Sequence, residues 1–290
     1  VVTRVLAKMG SLCSRAGRAE QAADAFRQFL EIAEEQGHLA WISFGCGNLG
    51  RIYDEMGRLA EGIERYEQAI RVSREQGDRR TESMYRGLLG NVRRKMGDYE
   101  GARTSVEHSL RILRDVGDRR LEACSLNVLG VIEAGRDAYS EAVSLLKTAV
   151  ALFDRHPYPA GQAYALRWLG IIHLRTGDAE EGRRYLEDAR TLAEEIRTPQ
   201  ESIPAAAALA ALGAADADEV LRALRSHETV LEIRLRMRIL NDLHRATGDA
   251  ARIQEARSLL DDLLRHTPVE YQRSLLEGVL LHREILGAGV

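Results

Sequence analysis

Apolar residues recur along this chain at i, i+3 and i+6 in short stretches that return every 40 residues. Cys46, Leu49 and Ile52, followed by Met56, make one such stripe. Leu89, Val92 and Met96 repeat it, as do Leu126, Leu129 and Ile132, and then Leu166, Leu169 and Ile172. The spacing lays one apolar edge along an amphipathic helix. A second pattern follows each stripe, a small residue and a larger one four places on: Ala22/Phe26, Gly62/Tyr66, Ala102/Val106, Ala142/Leu146 and Gly182/Leu186. Small against large at fixed positions interlocks neighbouring helices. No helix pair covers its own apolar edge, so each must lean on the next.

Glycines keep the same period. Gly10, Gly50, Gly90, Gly130 and Gly170 lie inside the helical pattern, where each costs about 1 kcal/mol relative to alanine. Their retention predicts close approach of a neighbouring helix, so Gly130→Leu should be strongly destabilising. Gly17, Gly57, Gly97 and Gly177, with Asp137 in one place, fall seven residues later, where a helix must stop and reverse. Gly37, Gly77 and Gly117, continued by Pro157, mark the second turn. Asp78 and Asp118 stand at N-cap positions ahead of Glu82 and Glu122, and Arg79-Arg80 and Arg119-Arg120 recur as parts of that loop. The pattern predicts an all-α chain with five helix-pair units over 1–198. A loop bracketed by Pro199 and Pro204 and a shortened helix pair then fill 199–228, a divergent unit 229–266, and a single capping helix 267–290. Val1 aligns with Trp41, inside a first helix, and no initiator methionine is present, so the chain reads as a fragment with upstream sequence removed.

Leu49, Gly50, Tyr53, Gly57, Gly62, Tyr66 and Ala69 fall at the spacings of the tetratricopeptide repeat signature. The unit resembles the 40-residue variety of that repeat, found in Pins-type polarity scaffolds, Rap-type bacterial regulators and the sensor arms of bacterial signalling ATPases. The resemblance covers 1–198 well and 229–266 loosely. It implies a right-handed α-solenoid whose first helices line a concave groove, and a protein- or peptide-binding role. The sequence departs from the signature where its aromatic position becomes Cys13, Arg93, Glu133 and His173, and where the tryptophan position is Cys46, Arg86, Leu126 or Leu166. No relative's ligand residues therefore transfer wholesale.

Composition narrows the function classes. The net charge of −3 predicts no general attraction to nucleic acid or membrane. No apolar run approaches the roughly 20 residues that span a bilayer, no signal peptide is visible, and three cysteines without a CxxC pair imply neither disulfide framework nor zinc site. These features read as a soluble, cytoplasmic protein. Only Lys8, Lys95 and Lys147 of the 41 basic residues are lysine, a bias that suggests a GC-rich bacterial genome. Gly45, Gly47 and Gly50 spell GxGxxG, but within a helix, without the preceding strand that a dinucleotide fingerprint needs. The eight histidines form no HExxH, and no nucleophile elbow or phosphate-binding loop occurs. The chain is expected to be no enzyme, and to need no cofactor or metal.

The groove-facing places, counted from each unit's in-helix glycine, are six and three before it and one, four and five after. Across five units they hold Arg4, Arg15, Arg51, Arg94, Lys95, Arg167 and Arg175 against only Asp54 and Glu55. The predicted binding surface comprises Phe44, Arg51, Asn91, Arg94, Lys95, Asn127, Tyr164, Arg167 and Arg175. The amides would bond a peptide backbone, the cations would pair with carboxylates, and Phe44 and Tyr164 would anchor apolar groups. The expected partner is an acidic peptide segment of a bacterial signalling or defence pathway, and reversing Arg94 and Arg167 together should weaken it without changing the melting temperature. The alternative is a structural role, either self-association as a homo-oligomer or packing against a removed effector domain.

Overall fold

The computed structural model describes residues 2–288. Among them every regular element is a helix. Five pairs follow one another: α1 (Val2–Arg15) with α2 (Ala19–Glu35), α3 (Leu39–Glu55) with α4 (Leu59–Glu75), α5 (Arg79–Lys95) with α6 (Tyr99–Val116), α7 (Arg119–Gly135) with α8 (Tyr139–Arg155), and α9 (Pro159–Arg175) with α10 (Ala179–Glu195). A shorter pair, α11 (Pro199–Ala210) and α12 (Ala217–Ser226), leads to a last full pair, α13 (Ile233–Thr247) and α14 (Ala250–Arg265). The chain finishes through α15 (Val269–Arg273), a π-helical turn (Ser274–Gly278) and α16 (Leu280–Gly287). The pairs stack into a right-handed α-solenoid.

The periodic glycines do the two jobs their spacing predicts. At the first turn, Gly57 and Gly97 sit at φ 77° and 83°, and Asp137 takes the same left-handed conformation at φ 62°. Inside the helices the constraint is proximity. A Cβ at Gly50 would lie 3.0 Å from the Tyr66 ring, one at Gly130 2.8 Å from Leu146 Cγ, and one at Gly170 2.7 Å from Leu186 Cγ. Each glycine thus receives the large residue sixteen places on, in the partner helix, and Phe26, Tyr66, Val106, Leu146 and Leu186 are all buried by that contact. The GxGxxG stretch has the same explanation. Gly45, Gly47 and Gly50 lie in α3 under Phe29, Tyr85 and Tyr66 respectively. Asp78 and Asp118 cap α5 and α7, accepting from the Thr81 and Leu121 N–H groups at 3.0 Å.

Three expectations change. Pro199 and Pro204 do not bracket a loop. Pro199 is the first residue of α11, where a missing N–H costs nothing, and Pro204 lies inside the same helix. Buried Ile203, Pro204 and Ala205 hold that helix by packing, although Pro204 forfeits one backbone bond. Where the second-turn series reaches Pro157, the chain turns through an extended His156 (φ −129°, ψ 79°) instead of a left-handed residue. The C-terminal segment is no single helix, because Val279 is extended (φ −88°, ψ 114°) and breaks it after the π-helical turn.

That break serves a long-range contact. The Ser274 hydroxyl donates to the Met96 carbonyl at 2.9 Å, and the Tyr99 hydroxyl donates to the Gly278 carbonyl at 3.3 Å. Leu263 and Leu275 join the same apolar cluster as Leu59, Val92 and Met96. The first-turn glycines Gly17, Gly57 and Gly97 lie against Thr229, Leu263 with Ile233, and Ser274. The solenoid therefore curls until its C-terminal units rest on the turns of its first three.

Candidate functional site

The curl encloses a cavity of about 670 Å³. Its walls are the C-terminal halves of α1, α3, α5, α7 and α9, together with the segment 197–201, residues 229–238 and residues 279–281. The place five after the glycine reaches it in all five units, the place one after in all but the first, and the place four after in the first, third and fourth. They include Ser14 and Arg15, Arg51 and Glu55, Asn91, Arg94 and Lys95, Val131, Ala134 and Gly135, and Ile171 and Arg175. The places six and three before line it only in α9, through Tyr164 and Arg167.

Two predicted site residues consequently stand elsewhere. Phe44 rests its ring on Phe26 and Phe29, with centroids 6.1 and 5.6 Å away. Asn127 is buried between first helices and donates its amide to the Gly161 carbonyl at 2.8 Å. Phe44 stays 42% exposed on the side toward α2, whereas Asn127 is lost to the curvature. First helices of successive units pack against one another over their N-terminal halves and leave space only near the turns.

The seven others line the cavity, but they differ in freedom. Lys95 is 5% exposed, and its ammonium donates to Asp54 at 2.7 Å and to both oxygens of Glu232 at 2.9 and 3.0 Å. Burial pushes that ammonium down, yet the two carboxylates outweigh it and hold Lys95 above its ordinary value. Arg167 is 3% exposed, paired with Glu201 at 2.7 Å, and lies over the rings of Tyr164 and Trp168. Burial raises Glu201 despite this arginine. Arg175 pairs with Glu284 at 2.8 Å, and Arg51 with Glu55 on its own helix and with the Ser14 hydroxyl. Arg94 touches no carboxylate, its guanidinium donating to the Asn91 side-chain oxygen at 2.9 Å. Charge reversal at half-buried Arg94 thus breaks no ion pair, whereas reversal at Arg167 would strand Glu201 beside a second buried carboxylate.

Sequence reasoning missed the wall given by the C-terminal third. Arg197, Glu201, Glu232, Arg234 and Arg238 all line the cavity, as do Trp168, Leu231, Leu235 and Leu281. The repeat rule held a signal for two of them. If Asn241 is set in the glycine's place, the positions six and three before are Leu235 and Arg238. Counting the whole lining, nine basic side chains face three acidic ones, Glu55, Glu201 and Glu232. Several of those cations, Arg15, Arg94, Lys95 and Arg175, sit in the last turns of their helices, where the helix dipole favours positive charge. Tyr164, Trp168 and Ile171 supply an apolar strip on one wall. Among the described residues no cluster of His, Cys, Asp and Glu could hold a metal ion, and no helix is long and apolar enough to cross a membrane.

Comparison with known proteins agrees with this architecture. Residues 45–76 and 80–155 match family models described as tetratricopeptide repeat. No curated protein sequence matches the chain significantly. Among solved structures, the apo form of RapI superposes with a TM-score of 0.66 at 16% identity, covering 99% of each chain. The Rap conjugation gene regulator of plasmid pLS20, in complex with the Phr* peptide, gives 0.73 at 13% identity over 93% of this chain and 74% of that one. Aspartyl phosphate phosphatase F from Bacillus subtilis gives 0.69 at 12% identity over 91% and 69%. At these identities the likeness concerns the fold.

Proposed function

We propose that this chain, which belongs to the tetratricopeptide repeat proteins, is a peptide-binding sensor or scaffold module whose enclosed cavity takes a short acidic segment. The observation that carries this reading is the lining itself, nine basic side chains to three acidic in a chain of net charge −3, beside an aromatic strip. A volume of about 670 Å³ falls within the roughly 300–1,000 Å³ of sites that bury small ligands. It suits a few residues of a peptide better than a folded partner. The similar pLS20 regulator is described with a peptide, which supports the same class of ligand here. A bacterial signalling or defence context is part of the proposal. No reaction is assigned to the chain.

The test is a fluorescence-polarisation screen of labelled pentapeptides that vary in charge and apolar content. Acidic peptides with a leucine or aromatic residue should bind, and binding should weaken as salt rises. Equal binding of basic and acidic peptides, or none by either, would refute the proposal. A second reading, self-association or docking on another domain, is favoured by one observation. Val2, Val5, Met9 and Leu12 form an exposed apolar stripe on α1, with Val5 and Leu12 each 58% exposed. Light scattering on the wild type and on Val5→Glu/Leu12→Glu distinguishes it, since an oligomer held by that stripe would dissociate.

A further inference from the structure

The cations that line the cavity fall into two classes. Lys95, Arg167, Arg175 and Arg238 each have a carboxylate within salt-bridge distance, from Asp54 and Glu232, from Glu201, and from Glu284 for the last two. Arg51 pairs likewise with Glu55, while Arg15, Arg94, Arg197 and Arg234 have none among the described residues; of these, Arg94 and Arg234 come from elements 140 positions apart and lie near enough to repel each other. Arg94 leans on the Asn91 side-chain oxygen, and Arg234 donates one N–H to the Lys95 carbonyl. A guanidinium carries five donors, so most of theirs remain to be matched.

The position of Arg234 sharpens the contrast. It is the second residue of α13, at the end of a helix where the dipole disfavours a cation and favours an anion. The N-cap residue there, Glu232, makes no side-chain cap bond, because its carboxylate is turned to Lys95. Desolvation in the closed wall and the charge of Arg94 together push the Arg234 guanidinium down to about 10. Helix C-termini account for Arg94 and its neighbours, whereas at Arg234 the attraction of Glu232 and Asp54, both committed to Lys95, is outweighed by desolvation and by Arg94. Both guanidinia line the cavity, and Arg234 bonds the carbonyl of Lys95, the residue next to Arg94; two neighbouring guanidinia suit an oxyanion, since an arginine fork meets carboxylate or phosphate oxygens in two parallel bonds.

We infer that Arg94 and Arg234 form an oxyanion subsite in the cavity, which holds a carboxylate of the bound ligand across the junction between the third repeat and the C-terminal unit. The inference rests on the peptide-binding reading for its ligand and adds the group recognised and the two residues that recognise it. Because the subsite is built from both ends of the curl, its occupant would tie α13 to α5 beside the Lys95–Glu232 bridge.

The experiment measures binding by calorimetry at constant ionic strength, with chloride as the balancing ion. The probes are citrate, inorganic phosphate and a pentapeptide of glutamate and leucine. Wild type should bind citrate and the peptide, and Arg94→Gln and Arg234→Gln should each weaken both by about tenfold or more. Arg94→Lys should recover only part of the loss, since it lacks the fork. Arg183→Gln, exposed on α10 and outside the cavity lining, should leave binding within about twofold, as expected of a screened surface charge. Arg94→Gln should also melt no lower than wild type without ligand, because it relieves a repulsion; this variant keeps the test valid if Arg234→Gln fails to fold. Citrate bound through Arg94 with no peptide bound would uphold the subsite and remove the peptide reading. Peptide bound equally well by Arg94→Gln would do the reverse. Phosphate bound and citrate ignored would overturn the carboxylate assignment, and equal losses in Arg183→Gln and Arg94→Gln would reduce the subsite to general electrostatics.

Discussion

Alanine substitution at two glycines of one helix, α5, should have opposite consequences. At Gly90 an added Cβ would lie 2.4 Å from Val106 Cγ2 and 2.9 Å from the Ala102 carbonyl oxygen. The valine is stiff at χ1 and fully buried, and the carbonyl belongs to the backbone of α6, so neither retreats without moving a helix. At Gly87 the nearest atoms are the hydroxyls of Ser125 at 3.3 Å and Ser109 at 3.7 Å. A shift of a few tenths of an ångström accommodates the new methyl there. Both substitutions gain about 1 kcal/mol of helix propensity. Gly90→Ala in addition meets an overpacking cost of about 1–3 kcal/mol or more. Gly87→Ala is therefore expected within about 1 kcal/mol of wild type, and Gly90→Ala about 1–2 kcal/mol below it. Urea unfolding followed by far-UV circular dichroism reads both. A stack of repeats can lose cooperativity, so the comparison uses midpoints of variants measured together. Gly90→Ala as stable as Gly87→Ala would show that the glycine period does not report helix contact, and would undo the reading of the whole repeat.

Four further outcomes follow from the polar groups and cysteines. Asp242 is 5% exposed and raised to about 6, by burial first, so its ionisation opposes folding fully above pH 6 and not at all below its ordinary 3.8. Asp242→Asn should therefore melt higher than wild type at pH 7.5, by on the order of 3 kcal/mol at most, with the gain vanishing as pH falls to 4. A gain that persists at pH 4 would assign it to packing. Lys95→Met should cost about 3–5 kcal/mol by stranding Asp54 and Glu232, and Arg167→Glu should lower the melting temperature sharply, whereas Arg94→Glu should not. At pH 8 a disulfide reagent should modify native Cys13 first, because burial pushes Cys46 up to about 12 and Cys124 to about 11; mass spectrometry of the singly labelled protein identifies the site.

What could be read from the chain divides along the range of the interaction. The helix pairs, turns and caps are local, and so is the fit of Gly130 under Leu146, sixteen residues away. Period and residue size carry that information, and five copies of it average out the departures at Cys13, Arg93, Glu133 and His173. The cavity depends instead on how far five small rotations between pairs add up. That sum brings Lys95 to Glu232, 137 residues on, and Tyr99 to Gly278, 179 residues on. No single repeat contains it. For that reason the groove rule placed Arg51, Asn91 and Arg175 on the right wall, yet Asn127 falls where first helices pack together and Phe44 on an exposed surface beside Phe26 and Phe29.

The ion pairs and the turn contacts together fix the register of the curl. A solenoid left to its repeats presents its first turns to solvent, and Gly17, Gly57 and Gly97 would need nothing more than a left-handed backbone. Here each of the three also abuts a residue of the C-terminal third, with Thr229, Leu263 and Ser274 close enough that a side chain would collide. Bringing Lys95 and Glu232 together out of water recovers little net energy, since desolvation offsets most of their attraction. Their worth lies in register, because a shifted α13 would withdraw Glu232 from Lys95 and leave that partly buried carboxylate unpaired. The same register sets Arg234 opposite Arg94. A fold that neutralises Lys95 with two carboxylates and leaves that neighbouring pair with none has distributed its charges unevenly, and the uneven place is where a ligand's own charge completes the wall.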